Sequence, residues 1–372
     1  MEKQVESIEG KAHKGERMRF FIIVPIFNAQ HYLHRCLDSI LAQSYAHFRA
    51  ILVNDGSSDE SLEIAKIYAQ TDERFEVISQ ANGGSSVARN SGLKRVREIL
   101  YNDTLCGDTY TSPPPPQEYH NYIVFLDCDD YLEQNGLRIL HDRLKGHRIQ
   151  VLVESKITAR SAEDDKIVPF GYRVFAPYLK GLYNASSIAK ANNAPIATTW
   201  AFIIESSYFF AHNFAFIPHI IFEDIAFCTE VTLKAQSIYI DEAHFYNYVL
   251  TPNSIMRAHK DAQRYIKEAY SYFFTLEFFR KMRQSSDDEA ICGYCERMLV
   301  HFTKELLRAL QFVGYRAEVG FTQRDLDAYV PYMRGKYYFC YKYPRIYGYP
   351  KRIRLWCENV FARLCKHAHS TN

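Results

Sequence analysis

Short apolar runs alternate with helically spaced apolar residues through the first third of the chain. Phe20-Phe-Ile-Ile-Val24 is wholly apolar and runs into Pro25, the pattern of a buried parallel strand. From Gln30 to Gln43, Tyr32, Leu33, Cys36, Leu37, Ile40 and Leu41 recur at helical spacing. Ala50-Ile-Leu-Val53 predicts a second strand, and Ser58 or Asp59 a cap for a helix reaching about Ala69. Phe75-Glu-Val-Ile78 predicts a third strand, Asn82-Gly83-Gly84 a turn, Ser85 to about Ile99 a helix, and Tyr122-Ile-Val-Phe-Leu126 a fourth strand. This alternation predicts an α/β fold built on a doubly wound, Rossmann-like, mostly parallel sheet. Ligands of such sheets gather at the carboxyl ends of the strands. Asn28, Asp55, Asp127 and Asp129 all fall at carboxyl ends.

Beyond Val151 the pattern loosens. A strand over 149–154, a polar loop over 158–166, a helix opened by Glu223-Asp224 and running to about Ala235, and a strand at Ile238-Tyr-Ile240 are expected. Residues 262–283 and 288–313 predict helices. These elements divide the chain into an extension over 1–17, expected to be disordered, a domain over 18–260, and a mainly helical, aromatic-rich region over 261–372. An insertion between Leu100 and Asn121 contains Ser112-Pro-Pro-Pro-Pro-Gln117, which proline bars from helix and central strand and which reads as a surface spacer.

Composition narrows the class. The chain has 372 residues, 47% hydrophobic and 24% charged, as ordinary globular proteins do. Nine cysteines, an odd number read as scattered without Cys-x-x-Cys pairs or Cys/His zinc spacing, a polar start, and no apolar stretch of the about 18 to 20 residues that span a bilayer predict a reduced, cytoplasmic protein. Residues 334–367 hold nine Lys or Arg against one acid, interleaved with Tyr, Phe and Trp. That mixture suits peripheral contact with the inner face of a membrane, with Leu355 to Leu364 as a short amphipathic helix. A solvated tail or a homodimer contact is the plainer alternative, and the enzyme-like N-terminal half argues against nucleic acid as the partner.

The densest chemistry is Asp127-Cys128-Asp129-Asp130, directly after the fourth strand. Carboxylates this close repel one another, and a hard divalent cation relieves that repulsion. Such a cation keeps positions open for substrate phosphates. An Asp-rich turn capping the next helix is the alternative, and Asp130 in particular is expected to serve as a turn or cap residue.

Taken together, Ile23-Val-Pro-Ile-Phe-Asn28, Val53-Asn-Asp-Gly-Ser57, Asn82-Gly-Gly-Ser-Ser-Val-Ala-Arg-Asn-Ser-Gly92, Leu126-Asp-Cys-Asp-Asp130 and Phe222-Glu-Asp-Ile-Ala-Phe227 resemble the inverting family 2 glycosyltransferases of the GT-A fold, over roughly residues 19–260. The resemblance implies a nucleotide-sugar donor, UDP-linked, and Mn²⁺ or Mg²⁺. Pro25, Asn28, Asp55, Gly83, Arg89, Asn90 and Asp127 would then line the donor site, with Asp55 accepting from the uracil imide and Asp127 reaching the ribose or a metal-bound water. Asp55 could also serve an Asx-turn, and Arg89 could brace the sheet through an ion pair. Asp129 and Asp127 would contact the metal, with His259 (alongside Ser254 and Arg257) as a further metal or diphosphate contact. Asp224 would be the general base, and Glu223 would orient the acceptor. Trp200 could stack on an acceptor sugar or belong to the core.

The QxxRW motif of processive relatives is absent after Glu223-Asp224, so a single hexose or N-acetylhexosamine is expected to be added. The implied acceptor is a glycan, free or lipid-linked, of lipopolysaccharide, capsule or a related surface polysaccharide. A nucleotidyltransferase, and a catalytically inactive relative acting as a glycan-binding or scaffolding subunit, are the competing readings. Pro25-Ile-Phe-Asn28 stands where the former would carry a Gly-rich phosphate loop, and intact Asp55, Asp129 and Asp224 speak against the latter.

Overall fold

A computed structural model describes residues 17–101, 119–169, 180–242, 244–251, 260–313 and 317–343. The expectations for 1–16, for the proline tract, for Ser254, Arg257 and His259, and for the tail beyond 343 lie outside the described residues. The chain clusters into two compact units. The first comprises Met1–Asn192, Ile196–His219 and Asp224–Ser254, and the second Asn193–Pro195, Ile220–Glu223 and Ile255–Asn372.

The first unit opens with β1 (Arg17–Ile26), α1 (Leu33–Leu41), β2 (Phe48–Asp55), α2 (Ser61–Thr71), β3 (Phe75–Gln80), α3 (Ser85–Tyr101) and β4 (Tyr119–Phe125). It continues through β5 (Tyr131–Leu132), α4 (Gly136–Leu144), β6 (Val151–Glu154), β7 (Thr158–Ser161), β8 (Ile167–Val168), β9 (Gly181–Tyr183), α5 (Ala185–Ala191), β10 (Phe202–Glu205) and α6 (Ser206–Ala211). It ends with α7 (Glu223–Lys234, whose first residue clusters with the second unit), β11 (Ile238–Asp241) and β12 (Tyr246–Leu250).

Eight strands form one sheet in the order β3-β2-β1-β4-β10-β6-β11-β9. β3, β2, β1 and β4 are mutually parallel. Phe20 to Val24, Ala50 to Val53 and Ile123 to Phe125 are fully buried, which is why these runs are apolar on both faces. α3 lies close against this sheet because Gly92 has no side chain: a Cβ there would stand 2.5 Å from Ile23 Cγ2. β10 runs antiparallel to both β4 and β6, pairing Ile203 with Val124 and Glu205 with Tyr122. The segment before β10 therefore reaches the carboxyl end of β4. A second sheet has the order β5-β12-β7-β8.

Several boundaries differ from expectation for physical reasons. β4 begins at Tyr119, within the expected insertion, because Asn121 is buried and accepts from Arg19 Nε on β1 (3.0 Å). β1 continues one residue past Pro25. The expected polar loop over 158–166 contains β7 and leads into β8, because Thr158-Ala-Arg-Ser161 pairs with β12 on one side and β8 on the other. The ladder satisfies that polar backbone, and Ala159 alone of its four side chains is buried.

In the second unit, α8 (Ala262–Gln284) and α9 (Glu289–Val313) are followed by α10 (Lys336–Lys342). Asp261 caps α8 by accepting from Arg264 N (2.8 Å). Phe279 stacks on Phe302 at 5.6 Å, and Tyr265 on Phe312 at 4.0 Å, so aromatic content here builds a helical core. Cys292-Gly-Tyr-Cys295 on α9 is a Cys-x-x-Cys pair not recognised from the sequence; both thiols are free, and Cys295 is buried. Among the described residues, no helix is long and apolar enough to cross a membrane.

Candidate active site

The loops after β1, β2 and β3 are tied to one another by the residues that stood out in the sequence. Asn28 takes a left-handed φ of +49°. Its N–H donates to Ser57 Oγ (3.1 Å), and its Oδ1 accepts from Ser58 N (2.8 Å), which joins the loop after β1 to the loop after β2. Asp59 accepts from Gln30 N and Ser61 N, so it links the same two loops, and α2 begins at Ser61, beyond the expected cap. Asp55 is buried. Its Oδ1 accepts from Gln80 Nε2 (2.7 Å) and Gly83 N (2.9 Å), and its Oδ2 from Gly84 N (2.7 Å). These bonds fold the loop after β3 onto β2. Gly84 needs its freedom at φ +87°, whereas Gly83 is required by space, since a Cβ would stand 2.8 Å from Val87. A carboxylate offers about four acceptor sites, so three N–H donors leave Asp55 capacity for one more.

Arg89 and Asn90, neighbours on α3, do different things. Arg89 is buried and pairs with Asp127 Oδ1 at 2.8 Å, beneath a guanidinium-to-ring contact with Phe216 at 5.4 Å. Asn90 grips the backbone of Phe216 at both ends, donating to its O (2.8 Å) and accepting from its N (2.9 Å). Phe216 in turn stacks on Phe227 of α7 at 3.9 Å.

The acidic turn is held from β12. Tyr246 Oη accepts from Asp127 N (3.2 Å) and donates to Asp130 Oδ2 (2.6 Å). Val249 N donates to Asp130 Oδ1 (2.7 Å), and Thr251 Oγ1 donates to Asp129 Oδ2 (3.2 Å). Asp130 closes the expected turn, its N–H donating to Asp127 O (3.0 Å), and in place of a helix cap its buried carboxyl fastens the turn to the second sheet. Burial, and then the charges of Asp129 and Asp127, hold the Asp130 carboxyl well above the usual carboxylate range. Burial likewise raises the Tyr246 hydroxyl, which stays a donor. Asp127 and Asp129 are left at the part-buried surface of the turn.

Asp224 stands at the start of α7, where acidic residues suit a helix N-terminus. Its Oδ2 accepts from Thr198 N at 2.9 Å. Thr198 precedes the 3-10 turn Thr199–Ala201, which leads directly into β10. Because β10 is antiparallel to β4, Asp224 is brought to the sheet edge from which Asp127 and Asp129 project. Glu223 is part-buried. Trp200 is buried, stacking at 4.4 Å on Tyr246 and 5.7 Å on Tyr248, so it belongs to the core and is no sugar platform. Pro25 pairs with Val53 inside the sheet. The structure thus assembles Asn28, Asp55, Gly83, Arg89, Asp127, Asp129 and Asp224 around the carboxyl edge, directs the Asn90 amide to Phe216, and leaves His259 outside the described residues.

The glycosyl transferase family 2 profile matches residues 21–100, the stretch that carries Asn28, Asp55, Gly83, Arg89 and Asn90. Residues 21–100 are similar to glycosyltransferase family 2. The chain is 32% identical over 142 residues to glycosyltransferase GlyA of Streptococcus pneumoniae, covering 38% of this chain and 17% of GlyA. It is 32% identical over 173 residues to the uncharacterized glycosyltransferase EpsJ of Bacillus subtilis, covering 45% of this chain and 49% of EpsJ. These matches span less than half the length of either relative. The fold is that of S. aureus TarS 1–349 in its complex with UDP-GlcNAc, with a TM-score of 0.59 at 16% identity over 91% of this chain and 89% of TarS 1–349.

Four contributors to the candidate site carried no motif. Thr198 acts through its backbone, Phe216 through a backbone clamp, and Tyr246 and Thr251 through bonds to residues more than a hundred positions away. The run Tyr246-Asn-Tyr-Val-Leu250 has strand composition, but its partners are set by tertiary pairing.

Proposed function

We propose that this family 2 transferase moves one hexose or N-acetylhexosamine from a UDP-sugar to a hydroxyl of a surface-polysaccharide glycan, with inversion at the anomeric carbon. The observation that carries the reading is the convergence of Asp224 and the Asp127–Asp129 turn at one sheet edge through the antiparallel β10. Asp55 offers its remaining acceptor capacity to the uracil imide N–H, beside the Gly83-Gly84 backbone. TarS structures hold UDP-GlcNAc and UDP on the same fold, which supports a UDP-linked donor. Asp224 takes the proton of the attacking acceptor hydroxyl, a task that needs one base within hydrogen-bond reach. Glu223, one residue earlier, orients the acceptor.

Asp127 and Asp129 supply the oxygen donors that Mn²⁺ or Mg²⁺ prefers. Among the described residues, no group of three or more His, Cys, Asp or Glu could hold an ion alone, and Asp127 already carries Arg89. The donor set therefore fits a cation shared with the diphosphate of the donor, which supplies positive charge to the leaving group when bound. Arg89 holds Asp127 in place for that contact. The exposed Tyr338, Phe339 and Tyr343 on and after α10, with Lys336 and Lys342 and the basic sequence beyond, suit a peripheral seat at the cytoplasmic face of a membrane, where a lipid-linked acceptor would lie.

The test is release of UDP from a panel of UDP-sugars, with and without Mn²⁺, against a crude lipid-linked glycan fraction. Metal-dependent release that Asp129→Ala abolishes supports the reading and names the donor. Failure of the wild type to bind any nucleotide in the presence of metal would overturn it.

A further inference from the structure

One indole joins the start of α7 to the acidic turn. On one side, Thr198 holds Asp224 through its N–H (2.9 Å), and Thr199 Oγ1 accepts from Cys228 Sγ (3.8 Å), one turn further along α7. Trp200 is the next residue. On the other side its ring lies within 12° of parallel to Tyr246 and within 11° of parallel to Tyr248. Tyr246 then connects Asp127 N to Asp130 Oδ2 through its single hydroxyl. Thr198 sits at φ +73°, a left-handed conformation that a β-branched residue keeps only where its surroundings fix it. Its N–H is held by Asp224 and its carbonyl by Ala201 N (3.0 Å), and the next two residues, Thr199 and Trp200, are buried at 2% and 7% exposure.

We propose that Trp200 is a positioning residue that sets Asp224 and the Asp127–Asp130 turn in register, so that the base and the donor-side carboxylates form one rigid body. The proposal rests on the reading of Asp224 as base and of the turn as the donor side. The Tyr246 hydroxyl meets Asp127 N and Asp130 together only in a narrow range of ring positions, since a hydrogen bond weakens steeply with distance and angle. A parallel aromatic partner restricts sliding and tilting of that ring in a way an aliphatic neighbour does not. The backbone of the same indole carries the turn that presents Thr198 N to Asp224. Displacing the indole therefore moves both groups, and a misplacement of about 1 Å between reacting groups costs on the order of a hundredfold in rate. A Trp that merely filled the core would affect stability and leave the two functions uncorrelated.

The test uses the full chain with Trp200→Leu, Trp200→Phe, Tyr246→Phe, Asp224→Asn and the Trp200→Leu/Tyr246→Phe double variant. For each, the Kd for UDP with Mn²⁺ and the kcat for UDP release at saturating donor are measured on folded protein, with melting temperatures alongside. Trp200→Leu is expected to raise the Kd about tenfold and lower kcat on the order of a hundredfold. Trp200→Phe, which keeps a stacking ring, is expected to restore most of both. Tyr246→Phe is expected to raise the Kd alone, and to add little when Trp200→Leu is already present, because both act through one ring. Trp200→Leu with a lowered melting temperature but wild-type Kd and kcat overturns the proposal, as does an additive double variant. Asp224→Asn separates the two failures. Full kcat in that variant removes the base assignment, while the Kd and additivity results still decide whether Trp200 holds the turn.

Discussion

The parallel strands β3-β2-β1-β4 and the small sheet β5-β12-β7-β8 serve the same site by opposite means. The parallel half presents functional side chains directly from strand ends and the loops after them, and its own contacts are short in sequence: Asp55 reaches Gln80, Gly83 and Gly84, and Asn28 reaches Ser57 and Ser58. The small sheet presents none of the expected donor residues. It fixes the acidic turn from behind, through Tyr246, Val249 and Thr251, across separations of 116 to 122 residues. A local motif can state which groups a site uses, but where those groups point is decided by a distant strand.

The largest expected effect lies at Asp224, which neither region carries and which accepts from Thr198 N ahead of β10. Asp224→Asn should lower kcat by about 10² to 10⁴, the usual contribution of a general base, while leaving UDP affinity unchanged. Steady-state kinetics paired with calorimetry checks this, and an equal loss of affinity would show that Asp224 also holds the donor.

Within the parallel half, Asp55→Ala leaves the N–H groups of Gly83 and Gly84 without their acceptor. Gly83 is part-buried and Gly84 exposed, so water can take up part of the loss, and urea unfolding should show a destabilisation of about 0.5–1.5 kcal/mol per bond together with weaker UDP binding. Wild-type affinity in a destabilised Asp55→Ala protein would make the residue a brace only. Asn90→Ala removes both bonds to Phe216 and is expected to lower stability comparably without altering UDP affinity; a raised Kd would return Asn90 to the donor site.

A pH-dependent effect on stability alone concerns the end of β6 in the eight-stranded sheet, beside the segment that leads into β12. Glu154 is buried at the end of β6, and its Oε1 stands 3.6 Å from His244 Nδ1, while His244 Nε2 meets Glu133 Oε1 at 2.9 Å. Burial, only partly offset by His244, pushes the Glu154 carboxyl up to about 7 from an ordinary 4.5. Glu154, followed by Glu133, raises His244. Both groups then bind more protons folded than unfolded, so stability falls as pH rises from about 5 through 7. The Glu154 shift, which already includes the attraction of His244, corresponds to roughly 3 kcal/mol. Melting temperatures of Glu154→Gln should be nearly flat over that window and higher than wild type at pH 8. A wild type whose stability rises from pH 5 to 8 would contradict this.

The parallel half was legible because burial on both faces forces continuous apolar runs, and its loops carry Asn, Asp and Gly for reasons of hydrogen bonding and φ that act within about thirty residues. Asp130 is the turn residue expected, its N–H donating to Asp127 O at 3.0 Å, but its burial was not legible, because an Asp in an exposed turn and an Asp buried under a distant tyrosine have the same local sequence. Trp200 was ambiguous for the same reason, since its partners Tyr246 and Tyr248 are set by tertiary pairing. Thr158-Ala-Arg-Ser161 looked like a loop because a short strand paired on both sides can tolerate polar side chains that face outward. No residue-level pattern identified Thr198, whose contribution is a backbone N–H.

The span from Asp130 to Val249 also orders events in time. During synthesis, β1 to β4 can pair as soon as about the first 130 residues are available, because their partners are near in sequence and short closures come first. The hydroxyl and the N–H that secure Asp130 arrive only with residues 246 and 249. A nascent chain, or a fragment limited to the region that defines the family at 21–100, would own the donor loops yet have no finished acidic turn. The turn that carries Asp127 and Asp129 is therefore secured only once nearly the whole first unit has emerged.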